Sequence, residues 1–438
     1  MTFEPAHFQK ALSQFANIIS NKMALPILQD IIIGYDKGRD MVWLMASDSD
    51  SWLKMDCVSA VKNDDGTVEM KPWAKLLKND TKEPFTSIGV RFKGAGDDRG
   101  LYHAISAVPR DGYLLQVEFS MVDGIGKMYV DYGLGDFTIP CDDAADFPVM
   151  QQVVTVEGVK SGEQSATSAS PLCRLRLRSA QLLPAMKQAR VCVANDELRP
   201  IMNGECMDVR IDGLTLVASD GHVLYKRMFP LAFGVTEIPE DGFGILESQQ
   251  FGAAGSVKLV VPKSVFSTIN DAFGNSDFVT VTADTLRTEW RSGGTVLVAR
   301  SIEGSYPNYD SVIPKNNNHV LTMSVVAFNG ALRRVGMFTN SSSYLIEGRR
   351  EGDKFIIEAN DYDFSCQGRE QISLQSDTTL PDKMKFGFKK DKMIDLLGCI
   401  STENLHLLID SPSTAFLLKE EDVKSSLTLL AMPMLINE

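Results

Sequence analysis

The chain has 438 residues, 44% of them hydrophobic and 23% charged, with a formal net charge of −13. That balance suits a globular protein of roughly three domains and excludes a disordered chain. No apolar run nears the roughly 20 residues of a membrane span, and Met1-Thr2-Phe3-Glu4-Pro5 does not open an export leader.

In chain order, Phe8, Leu12, Phe15 and Ile19 recur at helical spacing and predict a helix over 8–20. A proline turn, Leu25-Pro26-Ile27-Leu28, follows, then a strand-like run from Met41 to Met45 that ends in Ala46-Ser47-Asp48-Ser49-Asp50. Pro72, placed where a first helical turn tolerates it, predicts a second helix over 71–79. A Gly/Asp-rich insertion near 94–126 and a small-residue linker over 156–170 come next.

The order then returns. Leu182, Met186, Ala189 and Val193 predict a helix over 180–193, followed by the turn Arg199-Pro200-Ile201-Met202 and the segment Ala218-Ser219-Asp220-Gly221-His222. A helix is predicted over 262–270. In a third round come helices over 325–337 and 388–399, with Ala359-Asn360-Asp361-Tyr362-Asp363 between them. Matched helices and a matched aspartate turn, three times in one order, imply internal repetition. The reading is α+β, with three repeated domains at 1–155, 171–314 and 319–438, each built of two helices on antiparallel sheets.

Charge is unevenly spread. The six predicted helices hold twelve Lys and Arg against two acids, Asp391 and Asp395, so the rest of the chain is strongly acidic. Basic residues are good helix formers on solvated faces, but so is glutamate, and these stretches contain none. Lys75 and Lys78 share a face, as do Lys187 and Arg190. A positive surface of Lys10, Lys71, Lys75, Lys78, Lys187, Arg190, Lys263, Arg333, Arg334, Lys389, Lys390 and Lys392 would contact duplex phosphates without reading sequence.

No catalytic constellation accompanies it. Gly124-Ile125-Gly126-Lys127 lacks phosphate-loop spacing, His222 has no nucleophile motif beside it, and the paired aspartates fit acidic turns. Seven cysteines with no C-x-x-C pair and five scattered histidines imply reduced thiols in a cytoplasm and no metal site. No enzyme activity, metal or cofactor is expected. A β-rich repeat module binding protein or carbohydrate is the alternative, and it does not account for basic helices in an acidic chain.

At these residues the sequence resembles the bacterial DNA polymerase III beta subunit, the sliding-clamp family. The resemblance rests on Leu25-Pro26-Ile27-Leu28, on Asp196 to Gly204 with Ala218 to His222, on Ile302 to Tyr309 with Val312-Ile313-Pro314, and on Met432-Pro433-Met434. It implies a head-to-tail homodimer, a closed ring with helices lining the hole, and a processivity factor in DNA replication. Lys22 and Arg199, in matching turns, would approach DNA. A pocket for short peptides of the replicative polymerase, clamp loader and repair proteins would use Met202, Ser219, Gly221, His222, Leu224, Pro307, Val312, Leu430, Met432, Pro433 and Met434. Phe137, Met337 and Phe338 match the family's ring joint. Val223 stands where the family usually has arginine, and Leu435-Ile436-Asn437-Glu438 runs past its usual end.

Overall fold

The structure, a computed structural model, describes all residues except 20–24, 63–67, 76–86, 94–99, 111–112, 123–124, 151–152, 154–171, 241, 250–254, 383, 423 and 437–438. The chain forms two compact units. The first comprises Met1–Ala180, Glu247–Gln249 and Ser264–Ser301, and the second comprises Gln181–Leu246, Gln250–Lys263 and Ile302–Glu438.

In the first unit an antiparallel path of strands runs through Asp30–Asp36, Met41–Ser47, Ser51–Asp56 and Thr295–Arg300. It continues through Arg287–Ser292 and Phe278–Ala283 to Cys173–Arg178. On its other side, Asp30–Asp36 pairs with Ser87–Arg91. Helix α1 (Pro5–Phe15) starts with proline in its first turn and turns Phe8, Leu12 and Phe15 inward, all at 0% exposure. Each such phenylalanine contributes about 1.5–3 kcal/mol of transfer free energy.

The helix predicted over 71–79 does not begin where the sequence suggested. Lys71 and Pro72 end the strand Val68–Pro72, and Ala74–Lys75 pairs with Thr2–Phe3. The intervening Trp73 donates its N–H to the Cys57 carbonyl at 3.0 Å and accepts from Glu4 N at 2.9 Å, so its backbone bonds lie between segments rather than within a helix. Its ring packs 6.3 Å from both Phe3 and Phe8. Burial of that tryptophan overrode the proline signal. Lys78 lies outside the described residues. Among the described residues the helix that follows α1 is α2 (Leu101–Ser106), inside the stretch read as an insertion, burying Leu101 and Ile105.

Helix α3 (Ser179–Ala189) is followed by a short 3-10 turn, Arg190–Cys192, and α4 (Phe266–Phe273) follows one at Lys263–Val265. The second unit holds the sheet path Val257–Pro262, Gly204–Arg210, Gly213–Ser219, Val223–Phe233, Leu427–Ala431 and Phe416–Glu420. A separate four-stranded sheet is ordered Cys366–Ser373, Lys354–Asp361, Leu345–Glu351, Lys385–Lys389. Against it lies α5 (Val325–Val335), capped by the Ser324 hydroxyl, which accepts from Ala327 N. Helix α6 (Lys390–Leu397) packs on α5.

The repeated aspartate turns have one hydrogen-bond pattern. Asp48 Oδ1 accepts from the N–H groups of Asp50 and Ser51 at 3.0 and 2.7 Å, and Asp220 Oδ1 accepts from His222 and Val223 at 2.8 and 2.9 Å. The hydroxyl ahead of each aspartate also accepts, Ser47 from Ser49 N and Ser219 from Gly221 N. Asp361 accepts from Asp363 N at 3.1 Å. Such side-chain turns are local, which is why sequence alone finds them.

Candidate functional site

Near its chain end the second unit holds a cavity of about 350 Å³ lined by His222, Phe388, Met393, Met432, Pro433 and Met434, among others. One wall is the last sheet strand, where Val223 pairs with Ala431 and Leu224 with Leu430. Beyond it the chain stays extended because Met432 N donates to the His222 carbonyl at 2.7 Å and Met434 N to the Gly387 carbonyl at 2.8 Å. Proline between them has no N–H to satisfy, so both methionines are held while Met432 keeps 45% of its surface exposed. Flexible, polarizable thioethers on a fixed backbone suit apolar side chains of varied shape.

Of the eleven residues expected here, His222, Met432, Pro433 and Met434 line the cavity. Leu224 and Leu430 belong to a neighbouring apolar cluster with Cys206, Val217, Tyr306 and Tyr309, and Met202 is also buried. Ser219 and Gly221 build the aspartate turn, where Gly221 has a φ of 91° that favours glycine. Pro307 and Val312 are exposed and do not line this cavity.

The charged lining was missed. Lys389 and Lys392, expected to face DNA, both line the cavity. Lys392 Nζ lies 2.7 Å from Asp220 Oδ2. Burial alone would raise the Asp220 carboxyl, but Lys392 and the Val223 and His222 N–H groups outweigh it and hold its pKa below the usual value. For Lys392, burial is likewise outweighed by Asp220, and its pKa is raised. Ser342 and Ser343 complete the lining. They sit in the third repeat's turn without proline, so the only signal in the sequence was that departure.

The remaining cations divide. Lys10 and Lys187 are exposed on their helices. Arg334 makes a two-pronged pair with Glu370, at 3.0 and 2.6 Å. Arg333 donates to Asn329, Arg199 pairs with Asp196 at 2.8 Å, and Lys390 reaches Asp391 at 3.3 Å. Lys22 lies outside the described residues, and Lys71 and Lys75 sit on strands. The observed helices, with their adjoining 3-10 turns, carry eight Lys and Arg against three Asp, a smaller surplus than the sequence suggested.

Two sheet edges carry the residues expected at a ring joint. Phe137 is half-buried on Asp136–Asp143, opposite Val130. That strand meets Ser87–Arg91 only from Cys141 onward, so among the described residues 136–140 have a ladder partner on one side alone. Met337, 73% exposed, and Phe338, 38% exposed, follow α5. Phe338 lies against Gly368 on the edge strand Cys366–Ser373.

The fold is that of a DNA clamp, α+β with antiparallel sheets and few helices. No protein-family profile matches the chain. A beta sliding clamp of Caulobacter vibrioides is 22% identical over 421 residues, covering 94% of both chains. Among solved structures, the C. crescentus beta sliding clamp with polyethylene glycol bound to its putative beta-motif tethering region superposes with a TM-score of 0.75, at 20% identity and covering 99% of this chain and 98% of that one. The beta subunit of the Streptococcus pyogenes DNA polymerase gives a TM-score of 0.77, at 18% identity and 99% coverage of both. Over most of its length the chain is thus similar to bacterial beta sliding clamps, in sequence and in fold. Among the described residues no helix is long and apolar enough to cross a membrane.

Proposed function

We propose that the chain is a sliding clamp: two copies join head to tail into a ring around duplex DNA and tether a replicative polymerase, clamp loader and repair proteins through short peptides. The observation that carries this reading is the cavity bordered by Met432-Pro433-Met434, at the end of a chain with the clamp fold throughout. Each copy supplies three repeated domains, 1–155, 171–314 and 319–438. The ring closes where Phe137 of one copy meets Met337 and Phe338 of the other.

Lys10, Lys187, Arg190, Arg199, Lys263 and Arg333 approach phosphates through water, giving weak contacts that permit sliding. The chain's part is mechanical rather than catalytic: it holds a polymerase near its template by topology. Lys389 beside the methionines favours partner peptides that carry a carboxylate next to their apolar residues.

Retention on DNA tests this. Loaded onto nicked circular DNA, the protein stays through a high-salt wash and is released when the circle is cut. Equal loss from circular and linear DNA rejects encirclement. Solution mass at micromolar concentration is expected at about twice 48.3 kDa.

A further inference from the structure

The repeat places two equivalent sites side by side for comparison, and one of them is filled by the chain itself. In the second unit Tyr309 is buried, donates its hydroxyl to Asp208 at 2.6 Å, and has Lys226 and Lys258 each 5.3 Å from its ring centre. The next residue, Asp310, pairs with Lys226 at 2.5 Å. An aromatic side chain followed directly by a carboxylate thus packs on these strands, against Asp208, Lys226 and Lys258.

The first unit has the same frame. Lys54 faces Met45 across its ladder as Lys226 faces Val217, each lysine six residues after its turn aspartate, Asp48 or Asp220. Ser87 faces Gly34 as Lys258 faces Asp208. Phe147, ahead of Pro148, is buried over the frame as Tyr306, ahead of Pro307, is, so Met150 takes the place of Tyr309. Methionine for tyrosine and serine for lysine leave a cavity of about 270 Å³ walled by Trp43, Met45, Lys54 and Met150. Its floor is apolar. A Cβ on Gly34 would fall 2.1 Å from the Trp43 ring, so the tryptophan lies directly on that glycine where the second unit has Asp208. The Lys54 ammonium sits 4.5 Å from the Trp43 ring centre.

We infer that this cavity is a second docking site, which accepts from a partner protein an aromatic residue followed by an acidic one, the pair that Tyr309 and Asp310 supply internally in the second unit. The incoming ring stacks on Trp43 and the carboxylate pairs with Lys54. Since no acceptor equivalent to Asp208 lies below, phenylalanine serves as well as tyrosine. The site is independent of the ring and of the methionine-rich cavity.

The probe is acetyl-Asn-Phe-Asp-Ser-amide, residues 308–311 with phenylalanine for tyrosine, titrated into the full chain. Trp43 is the half-buried tryptophan, whereas Trp52, Trp73 and Trp290 are buried, so indole fluorescence reports on the cavity. A saturable change is expected in the wild type and is lost in Trp43→Phe. Lys54→Glu weakens the peptide about fivefold, and acetyl-Asn-Phe-Lys-Ser-amide recovers the affinity on that variant. No saturable change in the wild type, or equal affinity on Lys54→Glu, overturns the assignment.

Discussion

Asp30 and Glu205 lie near the starts of corresponding strands, one in each unit, and both are fully buried at 0% exposure. Asp30 has company: Arg91 Nε lies 2.8 Å from its Oδ1, and the same guanidinium reaches Asp142 at 3.7 Å and Gln29 at 2.8 Å. Burial pushes the Asp30 carboxyl up, Arg91 pulls it down and Asp142 pushes it up again, leaving its pKa at about 7. Glu205 has no hydrogen-bond partner for either oxygen among the described residues, and burial pushes it well above its usual value. One repeat therefore keeps a carboxyl buried by surrounding it with charge, the other by keeping it protonated.

The largest effect expected from this contrast is at Arg91. Arg91→Met removes the cation facing Asp30 and should cost roughly 3 kcal/mol in urea unfolding at pH 7.5. Asp30→Asn in that background should recover part of the loss. Glu205→Gln runs the other way. Because the folded pKa is raised, folding holds a proton that the unfolded chain releases, and stability falls as pH rises from about 4.5 upward. The substitution removes that fall: no change at pH 4, and a gain of about 2 kcal/mol at pH 7.5.

A smaller difference separates the turn aspartates. Asp48 has no ion pair among the described residues, while Asp220 has Lys392. With its pKa lowered, Asp220 adds stability above its ordinary value of 3.8 that is lost as pH falls through the folded pKa. Lys392→Met should cost about 1 kcal/mol at pH 7 and almost nothing once Asp220 is protonated, read as thermal melts at the two pH values. The smallest effect is at Ser49, whose φ of 83° matches that of Gly221. Ser49→Gly should raise stability by about 0.5 kcal/mol, whereas Gly221→Ala lowers it by about 1 kcal/mol.

What the sequence revealed and what it hid divide by range. The aspartate turns were legible because their hydrogen bonds close within three residues, and α1 and α5 because Phe8, Leu12 and Phe15, or Phe328, Leu332 and Val335, recur on one face. The Met432-Pro433-Met434 border was legible through resemblance. The helix at α2 was not: it is six residues long, no side chain caps it, and only Leu101 and Ile105 mark its buried face. The pairs Asp30–Arg91 and Asp220–Lys392 were hidden for another reason. Their members lie far apart in sequence, and only the folded sheet and helix packing bring them together.

The ladder between Ser51–Asp56 and Thr295–Arg300 joins segments some 240 residues apart through the register Ser51↔Ala299 to Met55↔Thr295. A protease that severs the polypeptide between residues 150 and 172 therefore frees nothing. The N-terminal piece stays stitched to its former continuation edge to edge, and the two leave a gel-filtration column as one particle until denaturant parts them.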